Sequence, residues 1–264
     1  MKTILLTGAT DGIGRETARA LAAEGHRVLV HGRSAEKLAA VSHDLGGAQT
    51  YRADLSRLQK ARALGEAVCA DHQQLDVLIN NAGVYNAPMA RTADGLDIRF
   101  AVNTIAPYIL ARGVLAIMPS DGRIVNLSSA AQAPVDMAAL RGERALSAGQ
   151  AYAQSKLGLT MWTNALAAEL GSAGPVAVSV NPGSLLGTNM VRDAFGTSGN
   201  DIRIGVDILM RAALSEEFSD ASGRYFDNDA GRFGPAHPDA ADPARCEAVL
   251  RAVAELAKRA EDGT

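Results

Sequence analysis

A single α/β domain spanning residues 1–264, built on a doubly wound parallel sheet of about seven strands, is predicted by three observations. Apolar runs of strand length alternate with stretches of helical period along the chain. A length of 264 residues with 47% hydrophobic and 21% charged residues supports one large packed core rather than disorder. No internal repeat, linker or change of composition marks a second domain. Helices are expected on both faces of the sheet, with right-handed crossovers.

The elements read in order. Ile4-Leu5-Leu6 is the first strand, followed by a helix near Ile13 to Glu24. A second strand, Arg27 to Val30, leads to a helix near Ala35 to Leu45, and a third, Gln49 to Arg52, leads to a helix near Leu58 to Ala70. Asp76 to Ile79 is the fourth strand. A long helical region spans Leu96 to Met118, with a kink expected at Pro107. Arg123 to Leu127 is the fifth strand. A helix runs from Tyr152 to Leu170 and stops at Gly171, a favourable C-cap. Val176 to Val180 is the sixth strand, a short one lies near Gly223 to Phe226, and a terminal helix covers Pro243 to Lys258. Gln132 to Gly149 and Gly183 to Asn200 lack strong periodicity. Connections of that length in a compact domain are often functional, so substrate loops are expected near 131–149 and 183–205.

Charge and composition exclude several classes. The net charge is −3, from 26 basic and 29 acidic residues, and no arginine-lysine patch offers a footprint for nucleic acid. Cys69 and Cys246 stand in no metal-ligand spacing, and two thiols in this length suit a reducing compartment. His31 and His237 have no clustered ligands around them and read as surface or turn histidines, so no metal is expected. The segment ahead of Thr7-Gly8 is short for a signal peptide, and no apolar run reaches the ~18 residues of a membrane span. A cytoplasmic location is the expectation.

Chemistry is concentrated at two places. Gly8, Gly12 and Gly14 fall between the first strand and the first helix, with Thr10, Asp11 and Ile13 between them. Glycine permits a tight turn and close approach to a pyrophosphate, and a helix N-terminus presents free N–H groups to phosphate. A plain strand-to-helix turn is the alternative. Far downstream, Tyr152 and Lys156 lie four residues apart, on one face of a helix. A lysine cation beside a phenol favours the phenolate and lowers its pKa from about 10. A phenol so tuned can protonate a carbonyl or deprotonate an alcohol. A packing tyrosine is the alternative.

The string Gly8-x-x-x-Gly12-x-Gly14, then Asn80-Asn81-Ala82-Gly83 after the fourth strand, then Tyr152-x-x-x-Lys156, resembles the short-chain dehydrogenase/reductase family, with its Rossmann-like fold, over residues 3 to 190. Arg123-Ile-Val-Asn-Leu-Ser-Ser129 and a lengthened stretch before the tyrosine bring it nearest to the retinol-dehydrogenase-like and protochlorophyllide-reductase-like members. The resemblance implies four catalytic residues. Tyr152 is the acid/base, Lys156 tunes it and holds the nicotinamide ribose, Ser129 binds the substrate oxygen, and Asn103 positions a relay water. Ser128 is read as a backbone-capping hydroxyl. For Asn103, the alternative is a polar helix residue satisfying neighbouring backbone.

The same resemblance implies a cofactor site of Gly8, Thr10, Asp11, Gly12, Ile13, Gly14, Arg33, Asp54, Leu55, Asn81, Ala82, Gly83, Tyr152, Lys156, Pro182, Gly183 and Thr188. Asp54 is implied as the adenine contact, with a helix N-cap as its alternative. Thr188 stands one position later than the family's usual threonine. The second strand ends Val30-His31-Gly32-Arg33 with no acid to hold ribose hydroxyls. Gly32 leaves room and Arg33 can pair with a 2′-phosphate, so NADP(H) is preferred and NAD(H) remains possible. Asp11 stands where NADP-dependent relatives often carry a base, which argues the other way.

The expected function is an NADP(H)-dependent oxidoreductase interconverting a ketone or aldehyde and an alcohol. Apolar residues Leu185, Leu186, Met190, Val191 and Phe195 suggest a lid and a hydrophobic substrate. Residues Val135 to Ala148 are a flap, an added rim helix or an idle excursion. Two rival readings are an NAD-dependent alcohol dehydrogenase working oxidatively and a silent dinucleotide-binding regulator. Family members associate as dimers or tetramers through the helices corresponding to Leu96–Met118 and Tyr152–Leu170, while some with a long insertion are monomers. A homo-oligomer is therefore expected.

Overall fold

The computed structural model describes residues 1–259; the last five residues of the expected 1–264 domain lie outside it. The first half is a run of three βα units: β1 (Thr3–Leu6) and α1 (Gly12–Ala23), β2 (Arg27–Gly32) and α2 (Ala35–Asp44), β3 (Thr50–Arg52) and α3 (Leu58–Asp71). It is followed by β4 (Val77–Asn80), the helical stretch α4 (Ile98–Phe100) to α5 (Ala106–Val114), and β5 (Arg123–Leu127). A short α6 (Met137–Leu140) precedes the long α7 (Ala148–Leu170) and β6 (Val176–Asn181). Then come α8 (Asn189–Phe195), α9 (Arg203–Leu214), β7 (Tyr225–Asp227), β8 (Arg232–Gly234) and α10 (Pro243–Arg259).

The strands form one sheet in the order β3-β2-β1-β4-β5-β6-β7-β8. All neighbours are parallel except β7 and β8, which pair antiparallel through Phe226 opposite Phe233. The sequence reading stopped at about seven strands because β8 is three residues with no apolar run. Successive strand residues face opposite sides. Leu5, Leu29, Leu78 and Ile124 therefore join the layer of α3, α5, α7 and α10. Their neighbours Ile4, Leu6, Val28, Val30, Val77 and Ile79 join the layer of α1, α2 and α9. Strand order reverses beside β1, so a crevice opens where β1 and β4 end, the expected ligand position in such a sheet.

Two helices depart from the sequence reading in informative ways. The Tyr152 helix begins at Ala148, because Ser147 accepts from Gln150 N–H and the Gln150 side chain answers on the Ser147 N–H. The Leu96–Met118 region does not simply kink at Pro107. Ala101–Ile105 is a π turn, with the Ala106 N–H reaching back to the Ala101 carbonyl. A proline ring presses on the carbonyl four residues earlier, here that of Asn103, and a widened turn accommodates it.

The expectation that no apolar stretch is long enough to span a bilayer needs correcting. Ile98–Ile117 qualifies by length and composition. In the fold, 72% of that window is buried, packed on α3, α7 and α10, so its apolar surface belongs to the core.

The insertion before Tyr152 is an added helix rather than a flap. Asp136 caps α6 through the Ala138 and Ala139 N–H groups and pairs with Arg144 at 2.6 Å. Ala139 and Leu140 are completely or almost completely buried, and the Asp136 N–H donates to the Gln154 side chain of α7 at 2.9 Å. The segment Gly183–Asn200, aperiodic in sequence, contains α8 and closes at a neck where Gly187 N–H donates to Asn200 O and Asn200 N–H donates to Leu185 O.

Candidate active site

A cavity of about 730 Å³ runs from the glycine loop to Tyr152. Of the sequence-predicted site residues, all but Asn103 line it. Asn103 stands just behind its wall: a side chain built on Gly83 would come within 3.4 Å of the Asn103 Oδ1 and 3.6 Å of the Lys156 Nζ.

The glycines of the first turn do different things. A Cβ on Gly14 would lie 2.3 Å from the Gly8 carbonyl oxygen and 2.4 Å from the Asn81 Nδ2, so only glycine allows the loop to close on β4. Gly12 has φ of +52° and would point a side chain into the cavity toward Thr188. The Gly12 N–H is taken by the Asp11 Oδ1 at 2.8 Å, so the N–H groups after it at the start of α1 are the donors left for a phosphate. Gly32 does not make room for a ligand, as the sequence suggested. A Cβ there would meet the Thr10 Cγ2 at 2.5 Å, so the residue is small because the glycine loop rests on it.

Asn81 and Thr7 pin the loop from beneath. The Asn81 Nδ2 donates to the Thr7 and Gly8 carbonyls at 2.8 and 3.2 Å, and the Thr7 Oγ1 accepts from the Asn81 and Ala82 N–H groups at 3.0 Å. His31 is the larger surprise, because it is not a surface residue. At 2% exposure it closes the floor of the cavity. Its Nδ1 accepts from the Gly8 N–H at 3.2 Å, which leaves the proton on Nε2 to be donated to the Ala53 carbonyl at 3.2 Å. Burial pushes its pKa down to about 4, so the imidazole is neutral. No sequence signal distinguished this histidine from one in a turn. His237 does sit in a turn, where its Nδ1 accepts from the Asp239 N–H.

Around the far end of the nucleotide crevice, the exposed Arg33 guanidinium has no hydrogen-bond or ion-pair partner among the described residues. The Asp54 Oδ1 accepts from Ser56 N–H and Oγ–H, shaping the turn rather than capping α3, whose N-cap is Arg57. The Asp54 Oδ2 has no donor among the described residues and Leu55 is buried beside it. Asp11 caps α1, pairs with Lys37 at 3.0 Å and accepts from the Asn189 Nδ2 of α8 at 2.8 Å. These partners hold its carboxyl below the usual range against the opposing effect of burial. The carboxylate thus ties the glycine loop to α2 and to the lid. Thr188 caps α8 through the Val191 N–H, with its methyl over Gly12.

At the other end, Ser129 and Tyr152 both line the cavity, and the Ser129 Oγ accepts from the Ala131 N–H at 3.1 Å. Ser128 points inward to Thr160 Oγ1 at 2.8 Å and the Lys156 carbonyl at 3.3 Å. Gln132 and Tyr225 clamp the Ser129 carbonyl at 2.9 and 3.1 Å. The Lys156 Nζ donates to the Leu127 carbonyl at 2.7 Å and lies 5.8 Å from the centre of the Tyr152 ring. Burial pushes the lysine down to about 8. It also pushes the Tyr152 phenol up, an effect the nearby Ser129 hydroxyl opposes and the neighbouring Tyr85 reinforces. The sequence expectation of a lowered phenol pKa is therefore reversed here. The ammonium is drawn to a carbonyl, and desolvation dominates.

Both polar atoms of the Asn103 side chain are hydrogen-bonded. Its Oδ1 accepts from the Val84 N–H at 2.8 Å, and its Nδ2 donates to the Val84 carbonyl and the Ser155 Oγ at 3.0 Å each. Its side chain therefore satisfies neighbouring backbone, the alternative weighed from sequence. Tyr85 was not foreseen: its ring centre lies 5.0 Å from that of Tyr152, tilted by 56°. Pro182 and Gly183 follow β6 on the cavity wall, with the Pro182 carbonyl held by the Asn228 Nδ2 at 2.9 Å.

A doubly wound sheet with a glycine loop at its switch point and a serine–tyrosine pair beside a buried lysine defines a class of dinucleotide-binding oxidoreductases. The short chain dehydrogenase family profile matches residues 2–198, and the chain belongs to that family. It is 33% identical to human retinol dehydrogenase 12 over 244 residues, which cover 85% of this chain and 77% of the relative. Among solved structures, a Burkholderia cenocepacia short chain dehydrogenase in complex with NADP aligns with a TM-score of 0.67 at 27% identity, over 86% of this chain and 95% of that one. Landomycin C-6 ketoreductase LanV, solved with bound NADP and rabelomycin, aligns with a TM-score of 0.66 at 30% identity, over 86% of this chain and 94% of that one.

Proposed function

We propose that the chain is an NADP(H)-dependent carbonyl reductase that interconverts a ketone or aldehyde and an alcohol, with Tyr152 as the acid/base. The observation that carries this reading is that Ser129, Tyr152 and Lys156 line the same cavity as the glycine loop. Two hydroxyls aimed at one point stabilise negative charge developing on a carbonyl oxygen.

The residues present fit the nucleotide. Gly12 leaves the loop open where a Cβ would fill it, α1 offers its N-terminus, and Asp54 keeps an uncommitted carboxylate oxygen. Arg33 reaches the same cavity with no acidic partner among the described residues, which favours a 2′-phosphate over a free ribose hydroxyl. NADP or NADPH bound in similar structures supports the same preference. When bound, the nicotinamide supplies or accepts the hydride. In the reductive direction the Tyr152 Oη donates its proton to the substrate oxygen while the Ser129 Oγ donates a hydrogen bond to it. Lys156, anchored on Leu127, holds positive charge behind the phenol. The raised phenol pKa keeps Tyr152 protonated at neutral pH, which suits reduction. Oxidation needs the phenolate and gains rate as pH rises.

Fluorescence titration with NADPH and NADH tests the cofactor assignment, and NADPH should bind more tightly. Equal or weaker binding of NADPH would remove the role of Arg33. Tyr152→Phe should keep NADPH binding and lose at least ~100-fold in carbonyl reduction, the scale of a general-acid contribution. Near-normal turnover would overturn the phenol mechanism.

A further inference from the structure

Tyr85 lies two residues beyond the Asn81-Ala82-Gly83 turn, on the cavity wall beside the catalytic hydroxyls. Its placement is unusually well fixed for a loop residue. Both backbone groups of Val84 are held by the Asn103 side chain. The Tyr85 carbonyl accepts from the Arg99 Nε at 2.8 Å. Arg99 itself is only 5% exposed and is fixed by two contacts to the Asp97 carboxylate at 3.1 and 3.0 Å. On the side of α7, a Cβ on Gly149 would come within 3.4 Å of the Tyr85 Oη, so that helix turn lacks a side chain where the phenol passes. The ring then packs on Tyr152 at 5.0 Å between centres.

The other walls differ in kind. Ala130 and Ala131 contribute methyl groups at most, and the lid contributes flexible aliphatic side chains from Leu185, Met190 and Val191. One rigid aromatic face opposite small and adaptable apolar surface favours a flat ligand that stacks on the ring. Charge narrows the class. The cavity wall includes Asp193, and the cation beside Tyr152 is Lys156, which is 5% exposed and donates to the Leu127 carbonyl. A substrate carboxylate would find no exposed cation beside Tyr152 among the described residues.

We propose that Tyr85 is the specificity-determining residue of the carbonyl subsite, and that it selects neutral, flat, conjugated or aromatic ketones over flexible aliphatic ones. The inference rests on the carbonyl-reductase reading, and it is tested by binding rather than turnover so that the two can fail separately. The Tyr152→Phe protein is saturated with NADPH and titrated calorimetrically with 2-acetylnaphthalene, its carboxylate derivative 6-acetyl-2-naphthoate, and 2-nonanone. The neutral naphthyl ketone is expected to bind at least ~10-fold more tightly than either of the others, the scale of one well-placed aromatic contact. Adding Tyr85→Leu should abolish the preference over 2-nonanone, chiefly by weakening the naphthyl ketone. Adding Tyr85→Phe should keep it. Thermal unfolding and NADPH affinity establish that each variant is folded, and the Phe variant carries the comparison if the Leu variant is not. A preference that survives Tyr85→Leu, a preference lost in Tyr85→Phe, equal binding of all three ketones, or binding of none would each overturn the proposal. Turnover of the same ketones by the unsubstituted protein reports separately on the reductase assignment.

Discussion

His31 ties the nucleotide loop to pH. Its pKa of about 4 in the fold compares with 6.5 for an ordinary histidine. Between those values the unfolded chain binds the proton and the folded chain does not, so stability is fully present above about 6.5 and falls as pH drops toward 4. The gap corresponds to about 3 kcal/mol. Urea unfolding of the unsubstituted protein and of His31→Gln at pH 7 and pH 4.5 should show a smaller acid loss in the variant. Parallel losses would mean that the imidazole is not the group responsible. Of the single residues, Tyr152, Lys156 and Ser129 were legible because their spacing is local or their motif is contiguous. The burial of His31, the packing of Tyr85 on Tyr152 and the commitment of the Asn103 amide to Val84 were not. Each depends on a partner dozens of residues away or on a loop path that no periodicity records.

Among the elements, α8 joins the glycine loop through one polar contact, the Asn189 Nδ2 on the Asp11 carboxylate. A separate, longer contact ties α8 to the stretch after β4, from the Asn86 Nδ2 to the Asp193 carbonyl at 3.5 Å. Removing the first by Asn189→Ala should cost about 1 kcal/mol, a factor of about five in the population of the open lid. Limited proteolysis within residues 187–200 should accelerate accordingly, and an unchanged cleavage rate would dismiss the latch. The lid residues were legible as an apolar segment, but not as a helix, because α8 is seven residues long and draws its order from a neck made by Leu185, Gly187 and Asn200. The π turn before Pro107 was half legible. Proline announces a disturbance, yet only packing decides whether the helix bends or widens.

For the molecule as a whole, α10 occupies the surface that the family resemblance assigned to assembly. Its buried residues Cys246, Val249, Ala252, Val253, Leu256 and Ala257 lie in one apolar cluster with Tyr108, Leu159, Trp162 and Leu166 of α5 and α7. The terminal helix was visible in sequence, but its docking position was not, because an amphipathic pattern shows that a face is covered without showing by what. With that face already covered from within, the chain is expected to be monomeric, near 27.4 kDa by light scattering. A dimer mass at micromolar concentration would contradict this.

The sheet also ends quietly on both sides. β3 contributes three residues, and so does β8, which runs against the direction of the other strands and carries the Arg224 guanidinium 3.9 Å from the centre of its Phe233 ring. Each outer margin therefore offers a short row of backbone donors and acceptors that includes an arginine, Arg52 in β3 and Arg232 in β8. A foreign strand has little length on which to template. The protein should accordingly tolerate high concentration without the edge-to-edge association that long, flat outer strands invite.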